Sequence, residues 1–127
     1  MSLQSLWQRL AVAVVVVVAG IASAWAHHGW ACTEDETFTL TGVIEDIYLG
    51  NPHARLDVRA DDGVWQVDLA PLGPTARAGF VEGVANVGDE VTAIGNRSRD
   101  PNERRMKAAR IIVNGNTYDV YPRRVGS

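Results

Sequence analysis

The chain has 127 residues, 46% of them hydrophobic, with 12 Lys+Arg against 15 Asp+Glu and a formal net charge of −3. That mild acidity supplies no field to gather nucleic acid, and the length allows one small domain with a thin core. Cys32 is the single cysteine, so no internal disulfide staples that core and the fold rests on packing alone.

Residues 10–21 form a near-unbroken apolar run, with Arg9 ahead of it and small residues at Ala22, Ala24 and Ala26. A charged n-region, an apolar h-region and an A-x-A site are the parts of a secretory signal. Residues 1–26 are therefore expected to be removed on export, leaving a periplasmic or secreted protein with one domain, residues 27–127. An uncleaved N-terminal membrane anchor is the rival reading, although the run falls short of the roughly 20 residues a spanning helix needs. Cleavage after Ala26 makes His27 the first residue, and its α-amino nitrogen becomes a ligand that no internal histidine has. Cleavage after Ala24 leaves Trp25-Ala26-His27, a third-position histidine that can wrap Cu(II) or Ni(II) with backbone amides and the amino terminus.

After the histidines, residues 29–36 are polar and loop-like. Residues 37–48 alternate as a half-buried strand, with Phe38 and Leu40 set against Thr37, Thr39 and Thr41. Gly42 interrupts that strand where a bulge or sharp coil is useful. Gly50-Asn51-Pro52-His53 reads as a turn. Residues 54–60 alternate again, Asp61-Asp62-Gly63 closes a hairpin, and residues 64–69 return. Asp57 and Asp68 take outward positions on this hairpin, with Val58, Val67 and Leu69 inward.

Residues 71–83 break the β pattern, with Pro74 opening a short helix and Gly79 or Gly83 stopping it. Val87-Gly88-Asp89-Glu90 is a turn into the strand 91–95, and residues 96–105 are a basic polar loop. Residues 106–113 are the last long strand, Asn114-Gly115 a type I′ turn, and residues 117–121 a short closing strand. The order of three strands, a short helix and two or three strands predicts an all-β chain with one short helix. It is that of a small OB-like Greek-key barrel. A small β-sandwich or half-open barrel is the alternative.

His27, His28 and His53 are the side chains that combine into a candidate site. Neutral imidazoles suit copper, zinc and nickel. A terminal His27 could chelate one metal through its amino and ring nitrogens, with His53 adding a third nitrogen in a histidine brace. The same residues also suit a polar tail and a turn residue at a barrel mouth. Cys32 reads as a spectator thiol, an intermolecular disulfide partner or a soft ligand for Cu(I). Trp30, Trp65, Phe80 and Tyr121 could form an aromatic binding face, but Trp65 and Phe80 read better as core. Arg97, Arg99, Arg104, Arg105, Lys107 and Arg110 read as a solvated, charge-mixed loop and strand. No nucleophile elbow, H-E-x-x-H motif or phosphate-binding glycine loop is present, so no enzymatic activity is expected.

Four segments together carry a resemblance: His27-His28-Gly29-Trp30 behind the apolar run, Thr39-Leu40-Thr41-Gly42-Val43, Asn51-Pro52-His53 and Trp65-Gln66-Val67-Asp68-Leu69. With residues 88–95 and 106–110 they resemble a family of small exported bacterial proteins, domain of unknown function 6152. The resemblance implies an exported β-barrel and no established activity; Gly29 and Cys32 depart from its pattern. The expectation is a periplasmic binding protein that takes a transition metal, copper first, through His27, His28 and His53. The alternative is a metal-free interaction module of the cell envelope. A third class is an oxidative copper enzyme built on a histidine brace. Neither leading reading takes nucleic acid as a partner or, once the signal is cut, touches the membrane.

Overall fold

Leu40, Ile44 and their alternating polar neighbours place β1 (Phe38–Tyr48) with one face on the core and the other in solvent. The computed structural model describes residues 30–126, so the expected signal segment, His27 and His28 lie outside the described residues. The barrel belongs to the compact unit that begins at Thr33, while Trp30–Cys32, a 3₁₀ turn carrying the half-buried thiol of Cys32, belongs to the preceding unit.

From β1 the chain continues through β2 (Arg55–Ala60) and β3 (Gly63–Asp68), then the helix α1 (Leu72–Arg77). It ends in β4 (Glu90–Arg97), β5 (Arg105–Val113) and the short β6 (Asn116–Asp119). The sheet order is β3-β2-β1-β4-β5-β6, and a parallel pairing of β3 with β5 closes five strands into a barrel with β6 outside it. This is a small OB-like barrel, and the sandwich and half-open alternatives fall away because the β3–β5 ladder leaves no gap.

β1 serves both halves of the barrel. Phe38 to Val43 pair with β4, and Val43 to Tyr48 pair with β2. Gly42 sits at the changeover, where an added Cβ would lie 2.2 Å from the Arg59 carbonyl oxygen. The strand thus coils at Gly42, while the bulge falls later, between Ile44 and Asp46. There Ile44 N–H donates to the Asp89 carbonyl and Gly88 N–H donates to the Ile44 carbonyl, so the loop before β4 replaces the lost ladder.

The β2–β3 hairpin turns through Asp61 and Asp62, and Gly63, at φ +130°, opens β3 in a backbone conformation that disfavours a side chain. Asn114 and Gly115 both have positive φ, as the expected type I′ turn requires. The helix starts earlier than expected, at Leu72, with Pro74 in its first turn, where a missing N–H costs no helical bond. Thr75 is buried and its hydroxyl donates to the Ala70 carbonyl at 2.8 Å, tying α1 to the end of β3. Inside lie Ile44, Leu56, Val58, Val67, Leu69, Phe80, Met106 and Ile111, each at most 2% exposed. Full burial of such side chains contributes about 1.5–3 kcal/mol apiece. Trp65 and Phe80, each 2% exposed, are core residues as expected.

Candidate functional site

Of the three histidines, His53 is within the described residues, on the loop between β1 and β2. The Asn51–Pro52 bond ahead of it is cis, and the Tyr48 hydroxyl donates to the Asn51 carbonyl at 2.8 Å. The Ala54 N–H donates to the Ala70 carbonyl and the Leu69 N–H to the Ala54 carbonyl, which joins this turn to the chain just past β3. His53 Nε2 then lies 3.3 Å from Asp68 Oδ1.

Asp68 is the hub of the site. It shares the outward face of β3 with Gln66, as the alternation implies, but it is not solvated: its side chain is 8% exposed. His53, Gln66 and Arg105 cover it. Gln66 Nε2 donates to Oδ1 at 2.9 Å and Arg105 Nε donates to Oδ2 at 2.7 Å. An ionised carboxylate at this depth requires such partners, since an unpaired buried charge is strongly disfavoured. The Asp68 charge is also felt at Tyr121. Burial, and after it the Asp68 charge, push its phenol above the ordinary value.

The cluster of basic residues resolves into pairs. Arg99 meets Asp35 at 3.5 Å, Arg104 meets Asp62 at 3.7 Å, and Arg110 meets Asp119 at 2.6 Å. Arg97 lies over the rings of Phe38 and Trp65, 5.5 and 5.1 Å from their centroids, and Lys107 lies 5.5 Å from the Tyr121 centroid. The charge-mixed surface expected from the sequence is what the fold presents.

His27 and His28 are outside the described residues, so the three expected metal ligands are not seen together. Among the described residues, no group of three or more His, Cys, Asp or Glu side chains is placed to hold a metal ion. Sequence reasoning passed over Asp68 as the partner of His53, and Gln66 and Arg105 as the partners of Asp68. Arg55 stands opposite Asp68 in the hairpin register, and Arg105 arrives through the parallel β3–β5 ladder, which has no local signal.

The model of the family of unknown function DUF6152 matches residues 13–107. The chain belongs to DUF6152. The match takes in the Asn51-Pro52-His53 turn and Asp68, and it ends at Lys107, short of the rest of β5 and of β6. No curated protein matches the DUF6152 chain. Solved structures similar to it include a complex of TiaS with a tRNA, AMPCPP and agmatine, at TM-score 0.48 and 16% identity over 61% of this chain and 18% of that one. A ZRD-deleted TiaS mutant in complex with agmatine gives TM-score 0.49 at 16% identity, over 67% of this chain and 26% of that one. The DUF6152 chain thus spans about a quarter or less of those chains, and a likeness of this size has no bearing on what it binds.

Proposed function

We propose that the chain is an exported, periplasmic barrel that binds a transition metal, copper first, and has no catalysis of its own. His27, with its freed amino group, and His28 supply nitrogen ligands from the mature N-terminus, and His53 supplies a third. The observation that carries this reading is the hold of Asp68 on His53. The ring nitrogen Nε2 lies 3.3 Å from a carboxylate that Arg105 and Gln66 pin in turn. A carboxylate on one ring nitrogen fixes the tautomer and orientation of a ligating histidine, and it leaves Nδ1 to meet the metal.

Intact mass of the exported protein identifies its first residue. Cu(II) is then titrated into the processed protein, into a form extended by Gly-Ser, and into His53→Ala. The processed protein is expected to bind more tightly than both variants. Equal binding by the processed and extended forms, or by neither, overturns the terminal chelate. Unchanged binding by His53→Ala removes the third ligand.

The alternative, a metal-free interaction module of the cell envelope, draws on a different feature. A groove of about 460 Å³ opens among Ile47, Leu49, Phe80, Val81 and Ala85, where the end of β1 meets the chain after α1. Neither reading involves nucleic acid, since the arginines of the β4–β5 region are matched by carboxylates and rings.

A further inference from the structure

β1 changes partners along its length. Phe38 to Val43 pair with β4 on one side, and Ile44 continues that side through its bonds to Gly88 and Asp89. From Asp46 to Tyr48 the strand pairs with β2 alone. Among the described residues, no backbone group bonds to the other side of the four residues 46–49. Peptide groups along a strand point alternately to its two sides, so this stretch presents an open edge about 13 Å long.

That edge borders the groove of about 460 Å³. Ile47 and Leu49 line it from the end of β1, and Phe80, Val81 and Ala85 line it from the chain after α1. Ile47 and Leu49 are half-buried and Val81 is 45% exposed, so the apolar surface here is within reach of a partner. Two exposed carboxylates accompany it, Asp46 next to Ile47 and Glu82 next to Val81. Neither forms an ion pair among the described residues.

We propose that the groove takes an extended, basic peptide, added as a strand along residues 46–49. Its aliphatic side chains enter the groove and its cations meet Asp46 and Glu82. Each observation selects one property of the occupant. Unpaired peptide groups on a strand edge are met by a second backbone in the extended form. Alternate residues of that backbone point the same way, so one apolar set fills the groove. Free carboxylates select cations over anions. An acyl chain leaves the peptide groups unmet. An edge of four residues is too short to hold a second copy of the chain, since a stable interface buries at least about 1,200 Å². This inference rests on the interaction reading of the groove and is independent of copper.

The test uses the exported protein, labelled with ¹⁵N and kept in EDTA, so its outcome leaves the copper reading standing. The probe is the capped peptide Lys-Ile-Lys-Ile-Lys, beside Glu-Ile-Glu-Ile-Glu and a form of the basic peptide N-methylated at every residue. The basic peptide is expected to shift the amides of residues 46–49 and 81–86 saturably. N-methylation is expected to weaken it about tenfold or more, the loss of two hydrogen bonds. Val81→Ser, at an exposed position that leaves the fold intact, is expected to weaken it about threefold to tenfold. Asp46→Asn combined with Glu82→Gln is expected to remove the preference for the basic peptide over the acidic one. If the basic peptide leaves those amides unmoved, the proposal is overturned and the interaction reading of the groove falls with it. If the N-methylated or the acidic peptide binds as tightly, or the amides move instead with protein concentration, the mark of a second copy, the proposal alone is overturned.

Discussion

Asp68 shows how one side chain can tie together distant parts of a small protein. It accepts from Gln66 two positions back, from Arg105 at the start of β5, and it holds His53 from the first loop. Asp68→Ala removes a charge-assisted bond at a site with 8% exposure, and urea denaturation is expected to show a loss of about 2 kcal/mol. Asp68→Asn keeps the shape and removes the charge. It is expected to weaken copper binding by about tenfold to a hundredfold if the carboxylate orients a ligating His53. Tyr121 reports on the same carboxylate. Its phenol is held above 10.0, so the folded chain keeps that proton where the unfolded chain releases it. The stability this contributes is whole below pH 10.0 and is lost as pH rises through the folded value. In a chain carrying Tyr48→Phe and Tyr118→Phe, ultraviolet absorbance follows Tyr121 alone. Adding Asp68→Asn is expected to lower its ionisation pH, with burial still holding it above the ordinary phenol.

Elements in this barrel meet at close approaches that leave no room for side chains. An added Cβ on Gly95 would lie 2.0 Å from the Lys107 carbonyl oxygen, where β4 and β5 shift register between Ile94 and Gly95. Gly95→Ala must push two backbones apart, and a loss of about 2 kcal/mol is expected in urea denaturation. β6 depends on a different contact. Arg110 on β5 donates twice to Asp119, at 2.6 and 3.1 Å, and that bond holds the Asp119 carboxyl below its usual range. A depressed carboxyl adds stability above its unfolded value of about 3.8, and this is lost as pH falls through the folded value. Asp119→Asn is therefore expected to flatten the acid limb of the stability–pH curve while leaving the curve's neutral region lower. Thermal unfolding followed by circular dichroism across the acid range checks it.

At the scale of the molecule, the compact unit that holds the barrel runs from Thr33 onward. The hydrophobic core begins at Leu40, and Asn96 Nδ2 donates to the carbonyls of Glu34 and Glu36 at 2.9 and 3.0 Å, fastening the entry segment to β4. Residues 33–127 expressed alone are expected to unfold in one cooperative transition, at a temperature within a few degrees of that of residues 27–127. Calorimetry on the two forms decides it.

Strand identities and turns were legible in the sequence because their causes are local. Alternation along Leu56-Asp57-Val58 or Trp65-Gln66-Val67 selects one face, and Asn114-Gly115 accepts positive φ wherever it occurs. The chain order of strands and helix was enough to indicate an OB-like barrel, and the apolar run with its alanines carried the expectation of export. The helix start was misjudged because Pro74 fits the first turn as well as the first position. Asp68 read correctly as outward-facing, yet its burial was invisible, since alternation reports which way a side chain points and not what later covers it. Barrel closure decided that. It set β5 beside β3, carried Arg105 across 37 positions of sequence to Asp68, and with the first loop brought His53 to the same carboxylate. Local pattern is written in neighbouring residues, whereas a site gathered from three separate segments exists only once the strands have met.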